Sequence, residues 1–164
     1  MAKVPKLMRH NEPSLDRIIY SVQVLSNIRE AIMIYNTTYR NDHDIYLINQ
    51  TVGRPFSFIQ RLKMGGIGTK RMTISGFSPY LREQCQTRSA YVQFGFLEMR
   101  PWGILVLINK QLQNFTWPIP YPNLMLETDQ GLRVLAEGQY VHFANGYQEN
   151  QVFIQRLHTK MNGG

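Results

Sequence analysis

AYVQFGFLEMRPWGILVLINKQLQNFTWPIPYPNLMLETDQGLRVLAEGQYVHFA, from Ala90 to Ala144, is the part of the sequence on which the predicted fold depends. It contains six short runs rich in β-branched and aromatic residues, separated by glycine, proline and polar residues. Runs of this composition at close spacing are typical of strands joined by tight turns. The stretch therefore predicts an antiparallel meander of six strands.

One further element is predicted on each side of the meander. RMTIS, which begins at Arg71, has the composition of a seventh strand. QENQVFIQRLHTKM, which follows the meander, predicts a C-terminal amphipathic helix because its apolar residues recur at helical spacing. These residues are Phe153, Ile154, Leu157 and Met161. The sequence thus predicts an α+β chain in which residues 70–164 form an antiparallel sheet, or a partly open barrel, of about seven strands capped by a helix.

This layout resembles the pleckstrin-homology-like fold, a bent antiparallel sheet whose open end is plugged by the last helix. The segment TWPIPYPNLMLETDQGLRVLAEGQYVHF carries the likeness, since its aromatic strand ends in an IPY turn before the next strand. GRPFSFIQRLKMGGIG, SPYLRE, LEMRPWGILVLI and WPIPY are similar to a family of uncharacterised bacterial proteins of this length. The resemblance implies a fold and no activity. One departure is that eukaryotic members carry a tryptophan in the last helix, where this chain has Phe153 or Ile154.

The segment before the sheet, residues 1–69, is expected to be a helical or mixed N-terminal element. Apolar residues at steps of three and four predict a helix from near Ser14 to about Arg29. AIMIYN and DIYLIN flank a polar, turn-like TTYRNDH, and strand character is predicted for both. FSFIQRL predicts a short helix that ends at Gly65–Gly66, and SPYLREQ predicts another that begins at Pro79.

Positive charge is concentrated in one part of the chain. The formal net charge is +7, and residues 54–88 hold seven cations against one acid, Glu83. The seven are Arg54, Arg61, Lys63, Lys70, Arg71, Arg82 and Arg88. Such a segment attracts polyanions, namely anionic lipid or phosphoinositide, RNA, or an acidic protein surface. A solvated basic surface without a dedicated ligand is the alternative.

The glycines of KMGGIGTKR, which begins at Lys63, suit either a loop that cradles phosphate or a flexible turn. The spacing is neither that of a P-loop nor that of a dinucleotide fingerprint, and a strand rather than a helix is predicted next. In phosphoinositide-binding members of the resembled fold, basic ligands come from the first two strands and their loop. That resemblance implies headgroup contacts from Lys63, Lys70 and Arg71, with Arg82 and Arg88 nearby.

Residues suited to catalysis or metal binding are sparse. The four histidines show no metal-ligand spacing, and Cys85 is the only cysteine. Arg82 and Arg88 would lower the pKa of Cys85 if it were exposed, but a lone cysteine is more often a small buried apolar residue. His142 is expected to be a solvent-facing strand residue. No nucleophile, base and orienting group can be assembled, so the sequence predicts a protein without catalysis, cofactor or metal site.

Two tryptophans receive different predictions. Trp117, before Pro118, is expected to anchor the packing of a strand end, whereas Trp102, in the RPWG turn, is expected to be exposed and to contact a partner. The aromatic strands also leave open an RNA-binding function, although their net charge is neutral.

The sequence also carries expectations about location. The N-terminus has cations but no apolar signal-peptide core, and the longest strongly apolar run, Gly103–Ile108, is far too short to cross a bilayer. A cytoplasmic protein is expected, with attachment to the inner face of the membrane as a further expectation.

Together these observations predict a non-catalytic interaction module that uses the basic segment 54–88. Its partner would be a protein or an anionic lipid headgroup, and an RNA- or ribosome-associated role is the alternative. The residues predicted to make the contacts are Arg61, Lys63, Lys70, Arg71, Arg82, Arg88 and Trp102.

Overall fold

The computed structural model describes residues 32–85, 92–145 and 147–163. Contacts divide the chain into two compact units, Met1–Ile32 and Met33–Gly164, and the fold described here is that of the second. The predicted helix from Ser14 to Arg29 lies outside the described residues. The unit that contains the sheet begins at Met33, so it includes residues 33–69 as well as residues 70–164.

Eight antiparallel strands form one sheet in the described part of the chain, in the order β1-β5-β4-β3-β2-β8-β7-β6. The sheet is not closed there, because β1 and β6 are its two edges. The seven predicted strands correspond to β2–β8, and β1 adds an eighth at the edge of β5. The strands are β1 Tyr35–Asn36, β2 Met72–Phe77, β3 Gln93–Met99, β4 Gly103–Lys110, β5 Gln113–Pro120, β6 Met125–Glu127, β7 Leu132–Ala136 and β8 Gln139–Phe143.

Four α-helices accompany the sheet in the described residues. They are α1 Asp42–Val52, α2 Phe58–Lys63, α3 Pro79–Gln84 and α4 Gln151–Asn162. The helices predicted from FSFIQRL, SPYLREQ and the C-terminal sequence are confirmed as α2, α3 and α4. Helix α4 buries Phe153, Ile154 and Leu157, which are three of the four residues of its predicted apolar stripe.

The central strands are covered on both faces of the sheet. In β4, Leu105 projects opposite to its neighbours Ile104 and Val106, and all three are buried. Leu105 belongs to a cluster that also contains Ile48 and Val52 of α1, so α1 covers this face. A continuous apolar run such as GILVLI is what two covered faces require.

The prediction for DIYLIN was wrong, because the segment lies inside helix α1 rather than in a strand. The Asn41 side chain caps this helix by accepting the His43 N–H at 3.0 Å, and Asp42 and Asp44 lie in the first turn. Negative charge there complements the helix dipole. AIMIYN does contain a strand, the two residues of β1.

None of the helices in the described ranges has both the length and the apolar character needed to cross a bilayer.

Candidate functional site

Helix α2 carries Arg61 and Lys63 and has no buried residue. It begins in a capping box, in which the Ser57 hydroxyl accepts the Gln60 N–H and the Gln60 side chain accepts the Ser57 N–H. The Arg61 Nε donates to the Phe56 carbonyl at 2.9 Å. Local hydrogen bonds of this kind form the helix without any apolar packing beneath it.

The glycines after α2 end the helix. The Gly66 N–H donates to the Arg61 carbonyl at 3.0 Å and the Gly65 N–H to the Leu62 carbonyl at 3.1 Å. These two bonds are a Schellman cap, which places Gly65 at a positive φ of 67°. The amides of Gly65 and Gly66 are therefore already bonded within the chain, which favours the turn over the phosphate cradle.

The carbonyl groups of the same turn face a cation. Arg156 of α4 donates through Nη1 to the carbonyls of Met64 and, at 3.0 Å, of Gly66. On its far side the turn joins the sheet, since the Met99 N–H donates to the Ile67 carbonyl at 2.7 Å. Helix α2 is thus held by its C-terminal turn and presented outward.

Three large apolar side chains of α2 are exposed, and the sequence pattern did not indicate them as site residues. Phe58 is 78%, Ile59 65% and Leu62 72% exposed. Their helical spacing is visible in the sequence, but the same spacing is normally explained by burial against a core. We name the surface formed by Phe58, Ile59, Leu62, Arg61 and Lys63 the α2 surface.

The next two cations of the basic segment lie beside the sheet. The Lys70 ammonium is 3.7 Å from a carboxylate oxygen of Glu149, and both side chains are largely exposed. The Arg71 guanidinium lies 4.3 Å from the centre of the Phe94 ring, a cation–π contact. These cations already have partners within the chain.

The remaining predicted cations belong to other parts of the chain. Arg82 is exposed near the end of α3, where it also has an interaction within the protein. Arg88 lies outside the described residues. Of the six predicted cations, Arg61 and Lys63 share one helix, and all six stay predictions as ligand contacts.

Trp102 is exposed, as predicted, and lines a cleft of about 450 Å³. We name this site the Trp102 cleft. It lies between the end of α1, the residues that lead into α2 and the turn between β3 and β4. Its lining residues are Asn49, Gln50, Arg54, Pro55, Phe56, Gln60, Pro101 and Trp102. Trp117, in contrast, is 2% exposed, which confirms its predicted role in packing.

An ion pair lies in the strand and turn that lead to Trp102. The Arg100 Nε is 2.8 Å from Glu98 Oε1, and the two side chains are only 11% and 26% exposed. The contact is a close ion pair rather than an aligned hydrogen bond, and Arg100 Nη1 has no hydrogen-bond partner among the described residues. The Tyr121 hydroxyl donates to the Arg100 carbonyl at 2.8 Å.

His142 has a structural role that the sequence did not show. Its Nε2 is 2.6 Å from the Gln130 carbonyl, and its Nδ1 is 2.8 Å from the Ser75 hydroxyl. A carbonyl only accepts, so the neutral ring carries its proton on Nε2 and Ser75 donates to Nδ1. Ser75 lies at an irregularity in the pairing of β2 with β8. The imidazole, which belongs to β8, therefore links β2 at this position to the turn between β6 and β7.

Cys85 is fully buried, and burial raises the pKa of its thiol to about 12. The interpretation of Cys85 as a small buried apolar residue is therefore confirmed, and removal of the thiol from water outweighs the effect of nearby positive charge on its pKa. Among the residues that the structure describes, no three histidine, cysteine or carboxylate side chains are grouped as metal ligands.

The comparisons with known proteins add no relative to this picture. No protein-family model, no curated protein and no solved structure matches this chain.

Proposed function

We propose that this protein is a non-catalytic interaction module that docks on an anionic membrane surface through the α2 surface. The observation that carries the proposal is the exposure of Phe58, Ile59 and Leu62 on a helix that also carries Arg61 and Lys63. Large apolar side chains exposed to water beside cations suit a membrane surface, because its acyl layer is apolar and its headgroup layer is negatively charged.

The order of residues along α2 gives the helix two sides. At 3.6 residues per turn, Phe58, Leu62 and Ile59 fall within an arc of about 100°. Arg61 and Lys63 flank this arc at about 60° and 40° beyond its ends, and Gln60 lies roughly opposite its centre. Interfacial helices place cations beside an apolar face in this way, because the long basic side chains then reach lipid phosphates.

The energies favour an anionic over a neutral surface. Full burial of one large apolar side chain contributes about 1.5 to 3 kcal/mol, so partial insertion of three offsets a substantial part of the cost of association. Each Lys or Arg near an anionic bilayer adds about 1 kcal/mol. Residues 45–82 contain no Asp or Glu, so the segment around α2 supplies no negative charge of its own.

RNA is less favoured as the ligand of the same segment. Single-stranded RNA needs aromatic rings that are free to stack on bases. On the α2 surface one exposed ring, Phe58, could stack on a base, whereas Ile59 and Leu62 are aliphatic and could not. Phe94, on the strand nearest Arg71, is only partly exposed and already has the guanidinium over its ring.

Vesicle sedimentation tests the proposal. The full chain is mixed with vesicles of phosphatidylcholine alone, or of phosphatidylcholine with phosphatidylserine, across a salt series. We expect binding to the anionic vesicles that weakens as salt rises, and strong loss in both F58S/I59S/L62S and R61E/K63E. L112S alters another exposed apolar residue and R40E/K160E makes the same change of charge elsewhere, so both should bind normally.

Two results would reject the membrane proposal. One is equal binding to neutral and anionic vesicles, and the other is absence of binding to either at low salt. If R61E/K63E instead abolished binding to a homopolymeric RNA that the unaltered protein binds, the RNA-associated role would replace it.

We also propose that the sheet and α4 have the pleckstrin-homology-like arrangement, and that the chain belongs with the uncharacterised bacterial proteins it resembles. The strand order β5-β4-β3-β2-β8-β7-β6, followed directly by a helix with three buried apolar residues, supports this description. A crystal structure in which α4 does not cover the open end of the bent sheet would contradict it.

A further inference from the structure

We infer that the Trp102 cleft binds an extended, apolar peptide segment of a partner protein that carries a carboxylate. This site is separate from the α2 surface. Gln60, which lines the cleft, lies on the side of α2 opposite to the arc of Phe58, Ile59 and Leu62. A membrane beneath that arc would therefore leave the cleft open to a second partner.

The indole of Trp102 is exposed although its backbone is fixed. The Trp102 N–H donates to the Val52 carbonyl at 2.9 Å, and its carbonyl accepts the Tyr121 N–H at 3.0 Å. The residue nevertheless remains 60% exposed. Because the fold already orders its backbone, the ligand has only the side-chain rotamer left to order when it covers the ring.

The wall formed by the end of α1 is equally fixed. Gly53 caps α1 through its N–H to the Asn49 carbonyl at 3.0 Å, and its φ of +89° favours glycine. A Cβ on Gly53 would lie 3.0 Å from Pro101, so α1 and the β3–β4 turn meet there in close contact. The cleft is therefore formed before any ligand arrives.

The lining groups indicate the class of ligand. Apolar surface comes from Phe56, Trp102 and the neighbouring prolines. The Asn49 amide offers a donor and an acceptor for a peptide backbone, and Gln60, whose oxygen already accepts the Ser57 N–H, offers its NH₂ group as a donor. Among the described residues that line the cleft, Arg54 is the one that carries a charge, and its guanidinium suits a carboxylate. A nucleoside polyphosphate would require several cations, so the single arginine favours an acidic peptide.

A random dodecapeptide display library, selected on the full chain, tests this inference. The expected consensus has an aromatic, aliphatic or proline position beside an Asp or Glu. A synthetic peptide with that consensus should bind at least about tenfold more weakly to W102A and to R54E, since truncation of a central tryptophan or reversal of a paired charge typically costs more than that factor. L112A and F58S/I59S/L62S should bind it as the unaltered protein does.

Tryptophan fluorescence supplies a second readout. The chain has two tryptophans, and the buried one is Trp117, so acrylamide quenching reports mainly on Trp102. The selected peptide should protect the fluorescence from quenching. A selection without a consensus, a consensus without an acidic residue, or equal affinity for W102A would each overturn the inference. None of these results depends on whether the α2 surface binds vesicles.

Discussion

At the scale of single residues, the pair Glu98–Arg100 is a largely buried polar contact near the Trp102 cleft. Both side chains are largely removed from water and lie 2.8 Å apart at Nε and Oε1. Burying two charges costs several kcal/mol, which their mutual attraction offsets only while both partners are present. Arg100 also precedes the Pro101–Trp102 turn, so its position is coupled to the orientation of the cleft.

We expect Glu98→Ala to lower the free energy of unfolding by about 2 to 3 kcal/mol, because it leaves the Arg100 guanidinium buried without a counter-charge. The double substitution E98L/R100M should recover much of this loss, since it removes both charges and keeps apolar volume. Urea denaturation, followed by circular dichroism, measures the change.

The exposed pair Glu127–Arg133 provides the matched control. Its oxygen–nitrogen distance is 3.1 Å, but both side chains are nearly half exposed. Glu127→Ala should therefore change the free energy of unfolding by less than about 0.5 kcal/mol. Equal effects of Glu98→Ala and Glu127→Ala would show that burial of Arg100 has no energetic importance.

The contacts of single residues explain why the charge pattern predicted only part of the candidate site. A count along the chain treats Lys70, Arg71 and Arg61 alike. In the fold, Lys70 lies near Glu149, Arg71 covers the Phe94 ring, and Arg61 stands on an exposed helix. These differences come from contacts between residues distant in sequence, such as positions 70 and 149, which no local pattern contains.

At the scale of elements, α2 is a helix whose stability comes from its two ends. A six-residue helix with no buried side chain is too short to be stable alone, because nucleation costs more than a few hydrogen bonds return. The capping box at Ser57 and the Schellman turn at Gly65 therefore decide whether it forms. Arg156, which reaches the carbonyls of that turn from α4, fixes where it lies.

Arg156→Ala should loosen α2 without unfolding the sheet. Loss of the bonds to the Met64 and Gly66 carbonyls removes about 1 to 3 kcal/mol of local stabilisation, since the donor is charged. Hydrogen–deuterium exchange should speed up at the amides of residues 64–66 and remain slow in β3 and β4. Thr159→Ala, an exposed change on the same helix, should leave the exchange unaltered, and unchanged exchange in the arginine variant would contradict this account of α2.

The strands and helices of this protein differ in how well the sequence predicts them. The strands β2–β8 were predicted because turn residues separate each run, and α2 because Gly65 and Gly66 follow it. DIYLIN was misassigned, because six residues rich in isoleucine and leucine suit a strand or a helix equally. The decisive signal was the start at Asn41 and Asp42, a helix cap that outweighs strand propensity.

At the scale of the whole molecule, the sheet, its covering helices and both candidate surfaces belong to the compact unit Met33–Gly164. The strand at one edge, β1, comes from the beginning of this unit, and α4 comes from its end. The unit contains its own buried core on both faces of β4. It therefore has the features of an independently folding domain.

We expect a shortened protein, residues 33–164, to unfold in a single cooperative thermal transition, because the apolar contacts described for the sheet lie within it. It should also retain salt-sensitive binding to phosphatidylserine vesicles, since α2 and its cap are intact. Differential scanning calorimetry and vesicle sedimentation measure the two properties. A shortened protein that melts without cooperativity would show that the sheet requires residues 1–32, and a folded one that no longer binds vesicles would place the membrane contact in residues 1–32 rather than on α2.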